Sequence, residues 1–137
     1  QGYEKRAEEE YRQAIQLDPE WLPAYVNLAD LYRHQRRETA GETVLNDGLV
    51  RQPDSADLHH AMGLLKVRQK ASADALEHLH IAASRAPSNS HYQYVYAVAL
   101  DSYGQRPAAI AWLERQLESR PSEPLSRLLQ QWQAGTR

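Results

Sequence analysis

Residues 22–55 read LPAYVNLADLYRHQRRETAGETVLNDGLVRQPDS, and this stretch holds two helical patterns on either side of a short basic turn. In the first half Tyr25, Leu28, Ala29, Leu31 and Tyr32 recur at helical spacing and make one apolar stripe. After Gln35, Arg36 and Arg37, a second stripe follows in Gly41, Val44, Leu45, Gly48 and Leu49. Pro53 ends that helix because it cannot extend the hydrogen-bond ladder, and Asp54 and Ser55 are residues that cap whatever comes next.

The scheme recurs. Pro19, Pro53, Pro87 and Pro121 stand 34 residues apart, and the same step links Ala7, Gly41, Ala75 and Ala109. It also links Tyr11 to Leu45, Leu79 and Leu113, and Ala14 to Gly48, Ala82 and, less well, Gln116. The next unit has Leu58, Met62, Gly63 and Leu65, then Ala75, Leu76, Leu79 and Ala82; the third has Tyr92, Tyr96, Ala97 and Leu100, then Ala109, Ile110, Leu113 and Leu117. A period of this length marks supersecondary units that bury their apolar faces only by stacking. Antiparallel helices joined by a short turn approach closely only where side chains are small, and this places Ala29, Gly63 and Ala97 opposite Gly41, Ala75 and Ala109. Gly41 and Gly48 each cost about 1 kcal/mol relative to alanine in a helix, a cost that tight packing offsets.

Composition narrows the function classes. Hydrophobic residues make up 42% and charged residues 25% of 137, with a net charge of −2, as in a soluble globular protein with no field that gathers nucleic acid or acidic membranes. Arg33, Arg36 and Arg37 have Glu38 and Glu42 beside them and read as a solvated helix end. The absence of cysteine removes disulfides, thiol nucleophiles and finger-type zinc sites, and leaves the compartment, cytoplasmic or periplasmic, open. No apolar run is long enough to span a bilayer. No nucleophile motif, phosphate loop, HExxH or haem-attachment CxxCH occurs, so the chain reads as no enzyme and as needing no cofactor.

Small residues at repeat positions 8, 20 and 27, a large apolar residue at 24 and proline at 32 make the chain resemble the tetratricopeptide repeat. The resemblance covers the chain as a half repeat (1–21), three repeats (22–55, 56–89, 90–123) and a capping helix with tail (124–137). It implies an all-α, right-handed α-solenoid of antiparallel helix pairs. Position 4, often tryptophan in the family, is Tyr25, His59 and Gln93; position 11, often tyrosine, is Tyr32, Lys66 and Leu100. These departures bear on local packing, not on the fold.

The resemblance also implies where function sits: the first helices of successive repeats line a concave groove that takes a peptide or partner protein. Its groove positions fall on Val26, Asn27, Asp30, Arg33 and His34, then Asp57, His60, Ala61, Leu64 and Arg68, then His91, Tyr94, Val95, Val98 and Asp101. Tyr94 is expected as the rigid anchor and Arg68 as the directional polar contact. The family's clamp for terminal carboxylates needs lysine, asparagine and arginine at set places. Asn27 matches one, but Val26, Ala61, Leu64 and Val95 stand where charged or amide groups are wanted, so that chemistry is not expected here.

Of the six histidines, His78 and His80 point apart on one helix, and only His60, His91 and Asp57 could converge as a carboxylate–imidazole cluster. Separate solvent-facing imidazoles are expected instead, no metal is assigned, and protonation of His34, His60 and His91 near pH 6 is expected to tune affinity.

At the N-terminal end, Gln1 and Gly2 fall in a turn, residues 4–17 make a second helix without its first, and Tyr11, Ala7 and Ala14 face the missing partner. The chain is thus expected to be a fragment of a longer protein. The exposed N-terminal helix offers a route to a homodimer, the structural alternative to partner binding. At the other end Leu125, Leu128, Leu129 and Trp132 form an apolar stripe ahead of a frayed Gly135–Thr136 tail. Residues 58–63 and 94–100 are also similar to repeat segments at the C-terminal ends of bacterial multihaem cytochrome-type proteins. That likeness would make the chain an accessory domain of a larger enzyme, such as a redox enzyme.

Overall fold

A computed structural model describes residues 2–135, and over them the chain forms eight helices: α1 (Gly2–Leu17), α2 (Leu22–His34), α3 (Glu38–Arg51), α4 (Ala56–Arg68), α5 (Ser72–Arg85), α6 (Ser90–Ser102), α7 (Arg106–Ser119) and α8 (Glu123–Gly135). Consecutive helices pack as neighbours throughout, the arrangement of an all-α solenoid. The helix starts earlier than expected at the front, since Gly2 is already helical; Gln1 lies outside the described residues. Gly135 likewise belongs to α8 and not to a tail, while Thr136 lies outside the described residues.

Local chemistry sets the helix ends. The Ser55 hydroxyl accepts from the Leu58 amide at 3.2 Å, Asn89 Oδ1 from the Tyr92 amide at 3.0 Å and the Ser122 hydroxyl from the Leu125 amide at 3.4 Å. α2 has no side-chain cap and starts with Pro23 in its first turn, where the missing N–H has no helical acceptor to lose. Each of the three pairs turns identically. Arg36, Lys70 and Gly104, one period apart, hold left-handed backbone at φ 59°, 59° and 82°. One residue further on, the amides of Arg37, Ala71 and Gln105 reach back to the carbonyls of Tyr32, Lys66 and Leu100 at 2.8, 3.0 and 2.8 Å, closing a Schellman motif.

The small residues do what packing demands. Ala29, Ala97, Ala75 and Ala109 are at most 4% exposed, as are Leu45, Leu79 and Leu113 at position 24. A Cβ on Gly63 would stand 2.6 Å from Cγ and Cδ2 of Leu79, and one on Gly48 would stand 2.9 Å from Cδ1 of Leu58. These glycines therefore mark close helix approach; α4 and α5, the pair that holds Gly63, make the most extensive contact of any two helices.

Position 4 has its own logic. Tyr25 Oη donates to the Pro19 carbonyl at 2.8 Å, and His59 Nε2 bonds the Pro53 carbonyl at 2.7 Å. Gln93 Nε2 donates to the carbonyls of Ala83 at 2.8 Å and Ala86 at 3.2 Å. Three different side chains thus satisfy carbonyls at the junction between repeats, where the helix ladder has ended. In two of them the remaining atom meets position 23: His59 Nδ1 lies 3.0 Å from His78 Nδ1, and Gln93 Oε1 accepts from Trp112 Nε1 at 3.0 Å. A carbonyl only accepts, so His59 presents an N–H at Nε2, and in the neutral ring its Nδ1 is then the acceptor for His78 Nδ1–H.

At the front of the array Tyr11 and Ile15 of α1 are partly buried against the α2–α4 core. Glu8 accepts from Tyr32 Oη at 2.9 Å, Arg37 at 2.9 Å and Arg12 at 3.2 Å. Partial burial would raise the Glu8 pKa, but these three donors hold it below the usual carboxylate value. Arg37 also lies 4.5 Å from the centre of the Tyr32 ring. The basic turn is accordingly not a merely solvated end: Arg37 fastens α2 to α1.

Candidate functional site

The first helices of the pairs approach each other: α2 packs directly on α4, and α6 on α8. The second helices α3, α5 and α7 make no comparable contact with one another, which sets α2 with α4, and α6 with α8, on one side of the array. Between α4 and α6 the join is made by rings. Tyr92 stacks on His60 with centroids 4.2 Å apart and an interplanar angle of 17°, and its hydroxyl donates to Asp57. Beyond these rings, α4, α5 and α6 leave an open hollow of 500 Å3. Leu64, Val67, Leu79, Val95 and Val98 supply its apolar lining, with Lys70 and Tyr103 also lining it.

The candidate groove residues divide among four settings. Asn27, Asp30 and His34 face α1 across a 330 Å3 hollow shared with Tyr3, Ala7 and Tyr11. His60 and His91 come together, centroids 5.7 Å apart, beside Asp57 and under the field of Arg33. Leu64 and Val98 line the apolar hollow, and Tyr94 projects from α6 at 37% exposure. Arg68 and Asp101 are engaged within the fold, Arg68 with Glu38 at 3.4 Å and Asp101 with Arg106 at 2.7 Å. Arg106 holds the Asp101 carboxyl below its usual pKa.

Two expectations about the imidazoles need correction. His60 is not a separate solvent-facing ring; it is 9% exposed, covered by Tyr92. Nor does it titrate near pH 6: burial, with His91 and Arg33 adding repulsion against the attraction of Asp57, lowers its pKa to about 4. The convergence of Asp57, His60 and His91 is real but does not make a ligand set, because Asp57 is turned to Tyr92; among the described residues no group of three His, Asp or Glu is placed to hold a metal. Two buried polar atoms near this cluster, Arg33 Nε and His60 Nδ1, have no hydrogen-bond partner.

Sequence reasoning missed Tyr92, Val67, Lys70 and Tyr103. In the sequence Tyr92 reads as one more apolar stripe residue, although its hydroxyl has to find a partner once half-buried. In the second repeat the groove positions run through Arg68, while its neighbour Val67 turns into the hollow. A further hollow of 560 Å3 lies among α1, α2 and α3, where Arg12, Asp47 and Arg51 mix charges of both signs with apolar residues.

The comparisons with known proteins follow this geometry. Residues 2–65 match the family model described as Tetratricopeptide repeat. No curated protein matches the sequence. Among solved structures, TTC0263 from Thermus thermophilus, a thermophilic tetratricopeptide-repeat protein, is 21% identical with a TM-score of 0.80, covering 97% of this chain and 74% of that one. MamA is 18% identical with a TM-score of 0.77, covering 98% and 80%. YrrB, described as a tetratricopeptide-repeat protein with an unusual peptide-binding site, is 19% identical with a TM-score of 0.67, covering 88% and 62%. Residues 2–65 thus match the tetratricopeptide-repeat family, the same 34-residue register runs on through the second half, and the chain shares the fold of these solenoids along almost its whole length.

Proposed function

We propose that the chain is a non-enzymatic protein-interaction module that holds a peptide or partner protein along the inner face formed by α2, α4, α6 and α8. The observation that carries this reading is the 500 Å3 hollow between α4 and α6, open and lined mostly by apolar side chains. An apolar cleft of that kind, with Val67 39% exposed in its lining and Tyr94 37% exposed on α6, is the surface a partner's side chains desolvate. Val98→Glu places a charge in the hollow, and Tyr94→Ala removes the exposed ring. With helix content unchanged, both are expected to lose proteins that the native chain captures from source-cell lysate. Partners retained equally by native chain and variants would move the site to another surface.

Self-association is the second reading, supported by Tyr3 and Leu17 on α1, which are 86% and 84% exposed. Light scattering across a dilution series tests it, and a monomer at every concentration removes it.

A further inference from the structure

We infer that the hollow between α4 and α6 takes an aliphatic side chain from an internal segment of a peptide, and that Lys70 selects for an acidic residue beside it. This rests on the inner-face reading and names the ligand that face prefers. Three observations lead to it.

The first is shape. Leu64 and Val67 on α4, and Val95 and Val98 on α6, lie about one turn apart along their helices, so the apolar walls continue for more than one side chain. A hollow open along its length suits a chain that passes through it and not one that ends there.

The second is charge. Of the residues lining the hollow only Lys70 is charged. The nearest charges on α4 and α6 are already matched, Arg68 by Glu38 at 3.4 Å and Asp101 by Arg106 at 2.7 Å. Lys66 is likewise held by Glu42 at 3.2 Å. Lys70 has no ion-pair partner among the described residues. Asp74, in the first turn of α5, is the acidic group closest in the chain and does not line the hollow.

The third is placement. Lys70 sits at the left-handed position of the α4–α5 turn, φ 59°, and its amide bonds the Val67 carbonyl at 3.0 Å. Its backbone is thus fixed at the rim. Apolar walls with one unmatched ammonium, carried on a fixed backbone beside them, are complementary to a leucine, isoleucine or valine followed by glutamate or aspartate.

The test uses the full chain, 15N-labelled, and three end-blocked peptides with Gly-Ser flanks around Leu-Glu, Leu-Gln or Ser-Glu. Backbone amide shifts read binding even at millimolar dissociation constants. The Leu-Glu peptide is expected to shift Leu64, Val67, Lys70 and Val98, and to bind about threefold more tightly than Leu-Gln at low salt. That preference is expected to vanish in about 0.5 M salt and in Lys70→Met, which keeps the apolar stem; Ser-Glu is expected not to bind. Equal affinity for Leu-Glu and Leu-Gln, with shifts at the hollow, would overturn the role of Lys70 and leave the inner face as a binding site. Shifts confined to Asn27, His34 or Tyr94 would overturn the hollow as the docking point while keeping the inner face. No shift for any peptide up to several millimolar would overturn the inference outright, whereas the Val98→Glu capture experiment decides the inner-face reading independently.

Discussion

At Gly63 the absence of a side chain decides how closely α4 and α5 can lie, because a Cβ there would overlap Cγ of Leu79 at 2.6 Å. Gly63→Ala is therefore expected to lower stability by about 1–3 kcal/mol in a chemical-denaturation experiment, although alanine is the better helix former. His60 supports a second prediction at this scale. Its folded pKa of about 4 lies below the value near 6.5 of an exposed histidine, so the unfolded chain takes up the proton first. Stability from this residue is complete above about pH 6.5 and declines as pH falls toward 4. His78, lowered by burial and by His59, acts in the same direction. A loss of about 2 kcal/mol between pH 6.5 and 4.5 is expected, and His60→Phe, which keeps a ring against Tyr92, is expected to show a shallower decline. The groups facing His60 are Arg33 from α2, Asp57 from α4, and His91 and Tyr92 from α6. Residue by residue, the sequence exposed the steric positions and hid the polar ones. Ala29, Gly63 and Ala97 could be placed because small size has one use there. The pairing of position 4 with position 23 repeats at a fixed offset of 19 residues in His59–His78 and Gln93–Trp112, but the chemistry changes each time, so no single motif announces it.

Each helix pair is a near copy of the others, and its turn shows why quite different residues can build it. Arg36, Lys70 and Gly104 occupy the same left-handed position, yet only glycine adopts it without cost. Gly104→Ala is expected to cost about 1 kcal/mol, read as a drop in the thermal midpoint, because the φ of 82° then bears a Cβ. The loss is conformational alone, since nothing lies within 4 Å of the position an added Cβ would take. The turn itself was legible from the period, but the conformation at Arg36 and Lys70 was not, because arginine and lysine carry no turn signal. The same limit applies to the edges of elements. Gly2 reads as a turn on composition, whereas the helical stretch that continues through Tyr3 and Glu4 includes it.

Across the whole molecule, stability is shared among neighbouring repeats and does not gather in one centre. One cluster joins Tyr25, Leu28, Tyr32, Leu45 and Leu58; the other joins Ala97, Leu100, Leu113, Leu125 and Trp132. The periodic pattern made this architecture readable at once, and the same regularity left the site obscure. The groove is set by where the repeats depart from one another: rings join α4 to α6 at Tyr92, and valines recede behind them. A stacked array also predicts how damage spreads. Trp132, 6% exposed and with the Arg106 guanidinium 5.6 Å from its ring centre, covers the end of the second cluster from α8. Trp132→Ala is expected to cost about 3–5 kcal/mol locally. Since each repeat holds mainly its neighbours, the loss is expected to fall first on α6, α7 and α8. Hydrogen exchange followed by mass spectrometry is expected to show these helices opening faster while α2 and α3 keep their native protection. Uniform acceleration along the chain would mean instead that the eight helices unfold as one unit, and that the two clusters are coupled through α4 and α5 more strongly than nearest-neighbour stacking requires.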